Sequence, residues 1–200
     1  KRAIAENLWP AIHKGLLKVA VRHEKGDNFS KAVDELIDIE YYVPSFVDAF
    51  RTYLSGEVKE ELLHPGDVIS VNVDHVIPAT RPGADVDVPH EETSTEARLL
   101  IRLAEKTSAD ESYIDHVACA RGRAMVTQYW PRKAIGLNAR PFHAVLLVGS
   151  IVGEGKESQI AERFFRNSEP PSHDRWEFWT RVKSLYEHGA KKRLNDFFKS

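Results

Sequence analysis

Ten consecutive residues, Val68-Ile69-Ser70-Val71-Asn72-Val73-Asp74-His75-Val76-Ile77, alternate in polarity and are rich in β-branched side chains. A period of two with that composition lays one face of an extended segment on a core and turns the other to solvent, so any fold of this chain must contain a β-sheet. His64-Pro65-Gly66-Asp67 supplies the turn in front of it. Further strand-like runs occupy residues 16–23 (Leu17, Val19 and Val21 on one face), 113–121, 124–130 and 142–150. They are separated by turn chemistry at Lys25-Gly26-Asp27 and Arg121-Gly122-Arg123 and by the link from Pro131 to Pro141.

Helical periodicity fills the intervals. Ile4, Leu8 and Ile12 mark an opening helix; Pro44 starts one that carries Phe46, Val47, Phe50, Tyr53 and Leu54 and ends near Gly56. Ser94 caps an expected helix over 95–106 with Ala97, Leu100, Ile101 and Ala104 as its stripe. Residues 157–167 (Ile160, Ala161, Phe164, Phe165) form another, 168–172 an extended break, and 176–198 one long amphipathic helix. Strands with helices inserted between them and following them predict an α/β (α+β) two-layer sandwich, a mixed sheet of four to five strands with a helical layer. Residues 79–93, with two prolines, a glycine and four acids, read as a mobile, dispensable surface loop.

Charge and cysteine usage narrow the function. With 28 basic and 30 acidic side chains the formal net charge is −2, which excludes an electrostatically driven nucleic-acid coat or a polybasic membrane anchor. A single cysteine, Cys119, cannot close an internal disulfide and points to a reducing, cytoplasmic compartment; between alanines in a strand-like run it reads as a small core residue. No run of eighteen apolar residues is present. The chain opens at Lys1 directly in a helical pattern, from which an N-terminus further upstream is expected.

Most chemical motifs have a plainer reading. Asp85, Asp87, His90 and Glu91 offer hard oxygen and imidazole ligands, yet no ligand spacing recurs elsewhere and a solvated acidic loop is preferred. Gly149-Ser150-Ile151-Val152-Gly153 places its serine directly after glycine, not in a nucleophile elbow. Gly153-Glu154-Gly155-Lys156 lacks the upstream glycine and the following Ser/Thr of a phosphate loop, so it reads as a strand-to-helix turn. Lys191-Lys192-Arg193 and Lys199, with no interleaved aromatic, read as a solvated helix end, and no direct nucleic-acid binding is expected.

One segment departs from this pattern: Ser168-Glu169-Pro170-Pro171-Ser172-His173-Asp174-Arg175-Trp176-Glu177-Phe178, followed by a helical stretch ending in Phe197-Phe198. It resembles the Glu-Pro-Thr-His-Asn-Lys-Gln-Asp-Phe segment and closing aromatic pair of the transducer domain of GHKL-type ATPases, closest to microrchidia (MORC)-like bacterial relatives. Glu169, Pro170, His173 and Phe178 agree in order and chemistry, and Asp174, Arg175 and Glu177 are near matches. Glu6-Asn7-Leu8-Trp9-Pro10-Ala11-Ile12 is similar to that family's junction with its nucleotide-binding domain, and Arg123-Ala124-Met125-Val126-Thr127-Gln128-Tyr129-Trp130 to its central strand.

The resemblance implies an organisation and a role. Residues 1–15 would be the helix leaving an upstream nucleotide-binding domain that holds ATP and Mg²⁺, and 16–200 a transducer domain of the ribosomal-protein S-five type. Arg175 would contact the γ-phosphate in place of the family's lysine, with His173, Asp174, Pro170 and Pro171 supporting its loop. The upstream domain of the same polypeptide would be the partner, a homodimer the assembly, and the 200 residues alone would be inactive although the parent is an ATPase. The family's Asp-x-Gly-x-Gly signature is absent here; Ala32-Val33-Asp34-Glu35-Leu36 does not replace it. The alternatives are a non-enzymatic scaffold or protein-interaction module of the same fold, or a metal-dependent hydrolase using Asp85, Asp87, His90 and Glu91.

Overall fold

The computed structural model describes residues 1–23, 33–86, 89–105, 109–132 and 140–199. The turn at Lys25-Gly26-Asp27, Asp87 of the candidate metal set and most of the link from Pro131 to Pro141 lie outside them. Among the described residues the chain runs α1 (Arg2–His13), β1 (Ala20–His23), β2 (Val33–Leu36), α2 (Ile39–Tyr42), α3 (Pro44–Ser55), β3 (Val68–Ile77), β4 (Thr93–Leu103), β5 (His116–Arg121), β6 (Met125–Pro131), β7 (Phe142–Val148), α4 (Lys156–Asn167), α5 (Thr180–Leu185) and α6 (Ala190–Phe197). The fold is α+β. A five-stranded mixed sheet has the order β3-β4-β7-β5-β6, and β1 and β2 form a separate antiparallel pair. β5 and β7 are parallel, with Val117 opposite Ala144 and Cys119 opposite Leu146; the other neighbours are antiparallel.

Apolar side chains on both faces of the central strands explain how the sheet is covered. In β7, Ala144, Leu146 and Val148 face one core with Ile160, Phe164 and Phe165 of α4, Val182 and Leu185 of α5 and Leu194 of α6. Val145 and Leu147 face the other, with Ala5 and Trp9 of α1 and Phe46, Val47 and Phe50 of α3. A strand buried on both sides reads as a continuous apolar run, which is the sequence of β7. α1 is locked to this second core: Trp9 Nε1 donates to Tyr129 Oη at 3.2 Å, and that hydroxyl donates to the Glu6 carbonyl at 2.6 Å. α3 begins at Pro44 and stops at Gly56, whose φ of 75° closes the helix in the left-handed region. Its first turn receives a distant cap, as Ser45 N and Oγ both donate to the buried Asp110 carboxylate at 2.9 and 2.8 Å.

Two sequence expectations are corrected. Residues 95–105 do not form a helix: β4 pairs over Thr93–Arg102 with β3 and over Arg98–Leu103 with β7. The spacing of Ala97, Leu100 and Ile101 fits a helix face, but it equally fits a strand with Ala97 in one core and Leu100 in the other, and pairing on two sides outweighs the helix propensity of Ala, Glu, Arg and Leu. Residues 176–198 are not one helix either. Tyr186 forms an isolated β-bridge with Thr80, Glu187 N donates to the Ala79 carbonyl at 2.9 Å, and Gly189 at φ 106° restarts the chain as α6.

The same bridge changes the picture of the 79–93 loop, whose described part is held rather than free. Thr80 and His90 exchange hydrogen bonds, Ala84 and Val86 pack on the first core, and Arg81 Nε donates to the carbonyls of Lys183 at 3.0 Å and Tyr186 at 2.7 Å. Arg81→Ala leaves two carbonyls at the α5 end without a donor and is expected to cost about 1 to 2 kcal/mol, a fall in Tm of roughly 2 to 8 °C. An unchanged melting curve would return the loop to the dispensable role read from its sequence. No described helix is long and apolar enough to cross a membrane.

Candidate functional site

Two stretches far apart in sequence, the end of β5 and α4 with the residues just after it, meet at the C-terminal end of β5. Arg121 is the last residue of that strand, Glu162 lies on α4, and Glu169 follows α4 directly. The Glu169 carboxylate is fully buried and forms a close two-pronged ion pair with Arg121 through Nε and Nη2. Thr127 Oγ1 and Trp176 Nε1 donate to its Oε1 at 3.2 and 3.1 Å, and His173 Nδ1 meets Oε2 at 3.0 Å. An ionised carboxylate only accepts, so the His173 proton is placed on Nδ1 by this contact. The remaining arm of Arg121 donates to Glu162 Oε1 at 3.0 Å, and Glu162 Oε2 accepts the Gly122 backbone N–H at 2.7 Å.

The electrostatics follow from this crowding of donors. Burial by itself pushes the Glu169 carboxyl up, but the hydrogen bonds and charge of Arg121, with His173 and Trp176, outweigh it and hold the group below the ordinary carboxylate range. Burial likewise pulls the Arg121 guanidinium down, and its two carboxylate partners more than restore it. A buried ion pair with its donors satisfied is a rigid joint: it ties the β5 to β6 turn, α4 and the segment after α4 at one point.

That joint shapes the segment carrying the family resemblance. Pro170 is buried while Pro171 and Ser172 are exposed, and His173 turns the chain with φ 52°, in the left-handed region uncommon for a residue with a Cβ. The backbone closes behind it, as His173 N donates to the Pro170 carbonyl and Glu177 N to the Ser168 carbonyl. Trp176 is buried against Phe165. Between these fixed points Asp174 and Arg175 stand on the surface. Arg175 is about half exposed at 51% and pairs with the exposed Asp174 at 3.2 Å and the partly exposed Glu177 at 2.9 Å.

The structure thus gathers His173 and Glu169 into the joint and leaves Asp174 and Arg175 on its outer rim. Arg121, Glu162 and Thr127 were not singled out from sequence, since their partners lie 48, 41 and 42 residues away and no local pattern announces them. Of the candidate metal ligands, Asp85 and Glu91 are exposed, and His90 Nδ1 lies 2.8 Å from the Glu91 carbonyl. Among the described residues no three His, Cys, Asp or Glu side chains come together in a way that could hold a metal ion. Cys119 is fully buried in the first core, and burial pushes its thiol up to about 12, which keeps it protonated and unreactive at neutral pH. Ser150 follows β7 on a short turn, its N–H donating to Glu162 at 3.4 Å, with no histidine beside it among its hydrogen-bond partners.

Comparison of the chain with protein-family models, with curated proteins and with solved structures finds no match. The resemblance therefore rests on the motif residues themselves, and what they can do rests on the geometry above.

Proposed function

We propose that this chain is the transducer half of a GHKL-type ATPase, reading the γ-phosphate of ATP bound by an upstream domain and relaying nucleotide state to dimerisation or to an effector further along. One observation supports the reading: a loop clamped from behind by a buried, five-donor carboxylate holds an exposed arginine outward. Its surface partners, the exposed Asp174 and the partly exposed Glu177, are carboxylates that a more highly charged phosphate can displace. A cation that meets only the γ-phosphate binds ATP and ADP states differently, and such a difference is what a switch requires. Trp176, buried directly after Arg175, links the loop to the core under α5 and α6, so a shift of the cation is felt by the C-terminal helices.

In the parent protein, Arg175→Ala should leave ADP affinity nearly unchanged and weaken binding of a non-hydrolysable ATP analogue by roughly ten- to a hundredfold, with Arg175→Lys recovering part of the loss. Equal loss of both nucleotides, or loss of neither, defeats this role. The scaffold reading draws on the ion pairs with Asp174 and Glu177, which already satisfy Arg175 without a nucleotide. It expects all three proteins to bind nucleotide alike.

A further inference from the structure

Where α4 and α5 meet Thr80, Asp85, Val86 and His90, a polar cavity of about 290 Å³ is lined by Arg163, Arg166, Arg181, Asn167, His90 and Tyr186. Arg163 and Arg166 are three apart on α4, which puts them on one face of the helix, and both line the cavity. Among the described residues neither guanidinium has a hydrogen-bond or ion-pair partner, although Arg163 is half-buried. Arg181 spends one N–H on Asn167 Oδ1 at 2.9 Å and pairs with no carboxylate among the described residues. Among the described residues the one carboxylate lining the cavity is Asp85, which is exposed. Arg163 is half-buried and Arg166 and Arg181 are exposed, so among the described lining residues three cations face one carboxylate and leave an excess of positive charge that an anion neutralises.

Two further groups point the same way. His90 Nε2 is buried without a partner, and buried polar atoms are ordinarily met by one. Asn167 Nδ2 donates to Tyr186 Oη at 3.3 Å, so the amide is oriented by contacts at both ends. Burial pushes the Tyr186 phenol up, while Arg163 and Arg181 pull it the other way, which places both cations within electrostatic reach of the same oxygen.

We infer that this cavity is a binding site for the phosphate group of a small molecule, held by Arg163, Arg166 and Arg181 with His90 and Asn167 beside them. Planar guanidinium forks match phosphate oxygens two at a time, and three arginines lining one cavity suit a doubly charged group better than a single carboxylate. The volume is at the small end for ligand sites, which favours a phosphate monoester with a short body over a nucleotide. No aromatic ring is offered there as an exposed stacking platform, since Tyr186 is buried, and the chain as a whole is not basic; a nucleic-acid strand is the less favoured occupant. Neither Arg175 nor its loop lines the cavity, so the inference is independent of the ATPase reading.

The test is calorimetric titration of the 200-residue chain with glycerol phosphate, pyrophosphate, citrate and a short single-stranded RNA at fixed ionic strength. Glycerol phosphate or pyrophosphate should bind saturably with one site, Arg163→Gln and Arg181→Gln should each weaken binding at least about tenfold, and Arg51→Gln on α3 should not. Melting curves confirm that each variant is folded, and the glutamines retain most of the stem packing. No saturable binding of either phosphate probe, binding unaffected by the two cavity variants, or loss in Arg175→Gln instead would overturn the assignment. Citrate or RNA binding through the same arginines with no response to the phosphate probes would overturn it as well.

Discussion

Replacing Glu169 with alanine is expected to destabilise the protein by about 3 to 5 kcal/mol and to lower Tm by roughly 6 to 20 °C. The carboxylate is fully buried with five donors aimed at it, and its removal leaves the Arg121 charge inside the protein with only Glu162 to balance it. The cost comes from the partner left behind, so the double change Arg121→Met with Glu169→Leu should lose much less than the sum of the single changes. The pH dependence carries an independent signature. A carboxyl held below its ordinary range contributes stability that is fully present above the unfolded value, about 4.3, and disappears as pH falls through the folded one. Between pH 7 and 3 the Tm of the wild type should therefore drop more steeply than that of Glu169→Gln. Parallel profiles would show that the carboxylate is not ionised in the native state, and additive losses in the double change would show that the pair is not coupled.

Gly149→Ala should be the next most damaging change, at about 2 to 5 kcal/mol, combining a left-handed backbone with overpacking. Gly149 follows β7 with φ 70°, and a Cβ there would lie 2.7 Å from the Cα of Glu162 and 2.9 Å from its Cβ. Those are atoms of α4 itself, so the helix has to shift, and Glu162 shifts with it away from Arg121 and Gly122. Gly83 is the internal control, because its φ of 72° is almost the same but nothing lies within 4 Å of where its Cβ would be. Gly83→Ala should cost only about 1 to 2 kcal/mol from the backbone. Thermal unfolding of the two variants separates strain from crowding, and equal losses would mean that α4 yields to the methyl group without penalty.

Both predictions concern a joint that the sequence contains but does not display. Glu169 was legible as part of a motif, and His173, Asp174 and Arg175 as its companions, because a run such as Glu-Pro-Pro-Ser-His-Asp-Arg is unusual in itself. What holds the run was not legible. An arginine at the end of a strand beside a glycine looks like any hairpin turn, and only the fold brings it against Glu162 and Glu169. The same limit applies to the arginines of α4: nothing local singles out Arg163 and Arg166, and the fold brings them to one cavity with Arg181 of α5 and His90.

By itself the sequence determined the elements whose signals are short in range. Alternating β-branched residues make β3, Pro44 and Gly56 bound α3, and the apolar pair Phe164-Phe165 with Ile160 and Ala161 gives α4 its buried face. Each of these depends on neighbours within about one turn or two strand residues, where backbone sterics and capping act. Tertiary structure alone decided that residues 93–103 are a strand, that β7 lies between β4 and β5, and that the C-terminal helix breaks at Tyr186 to Gly189. In these cases local propensity was nearly neutral or pointed the wrong way. Free energy from pairing β4 on both edges, and from joining Thr80 to Tyr186 across the sequence, settled the outcome, because hydrogen bonds and burial between distant segments exceed the few tenths of a kcal/mol per residue that separate helix from strand.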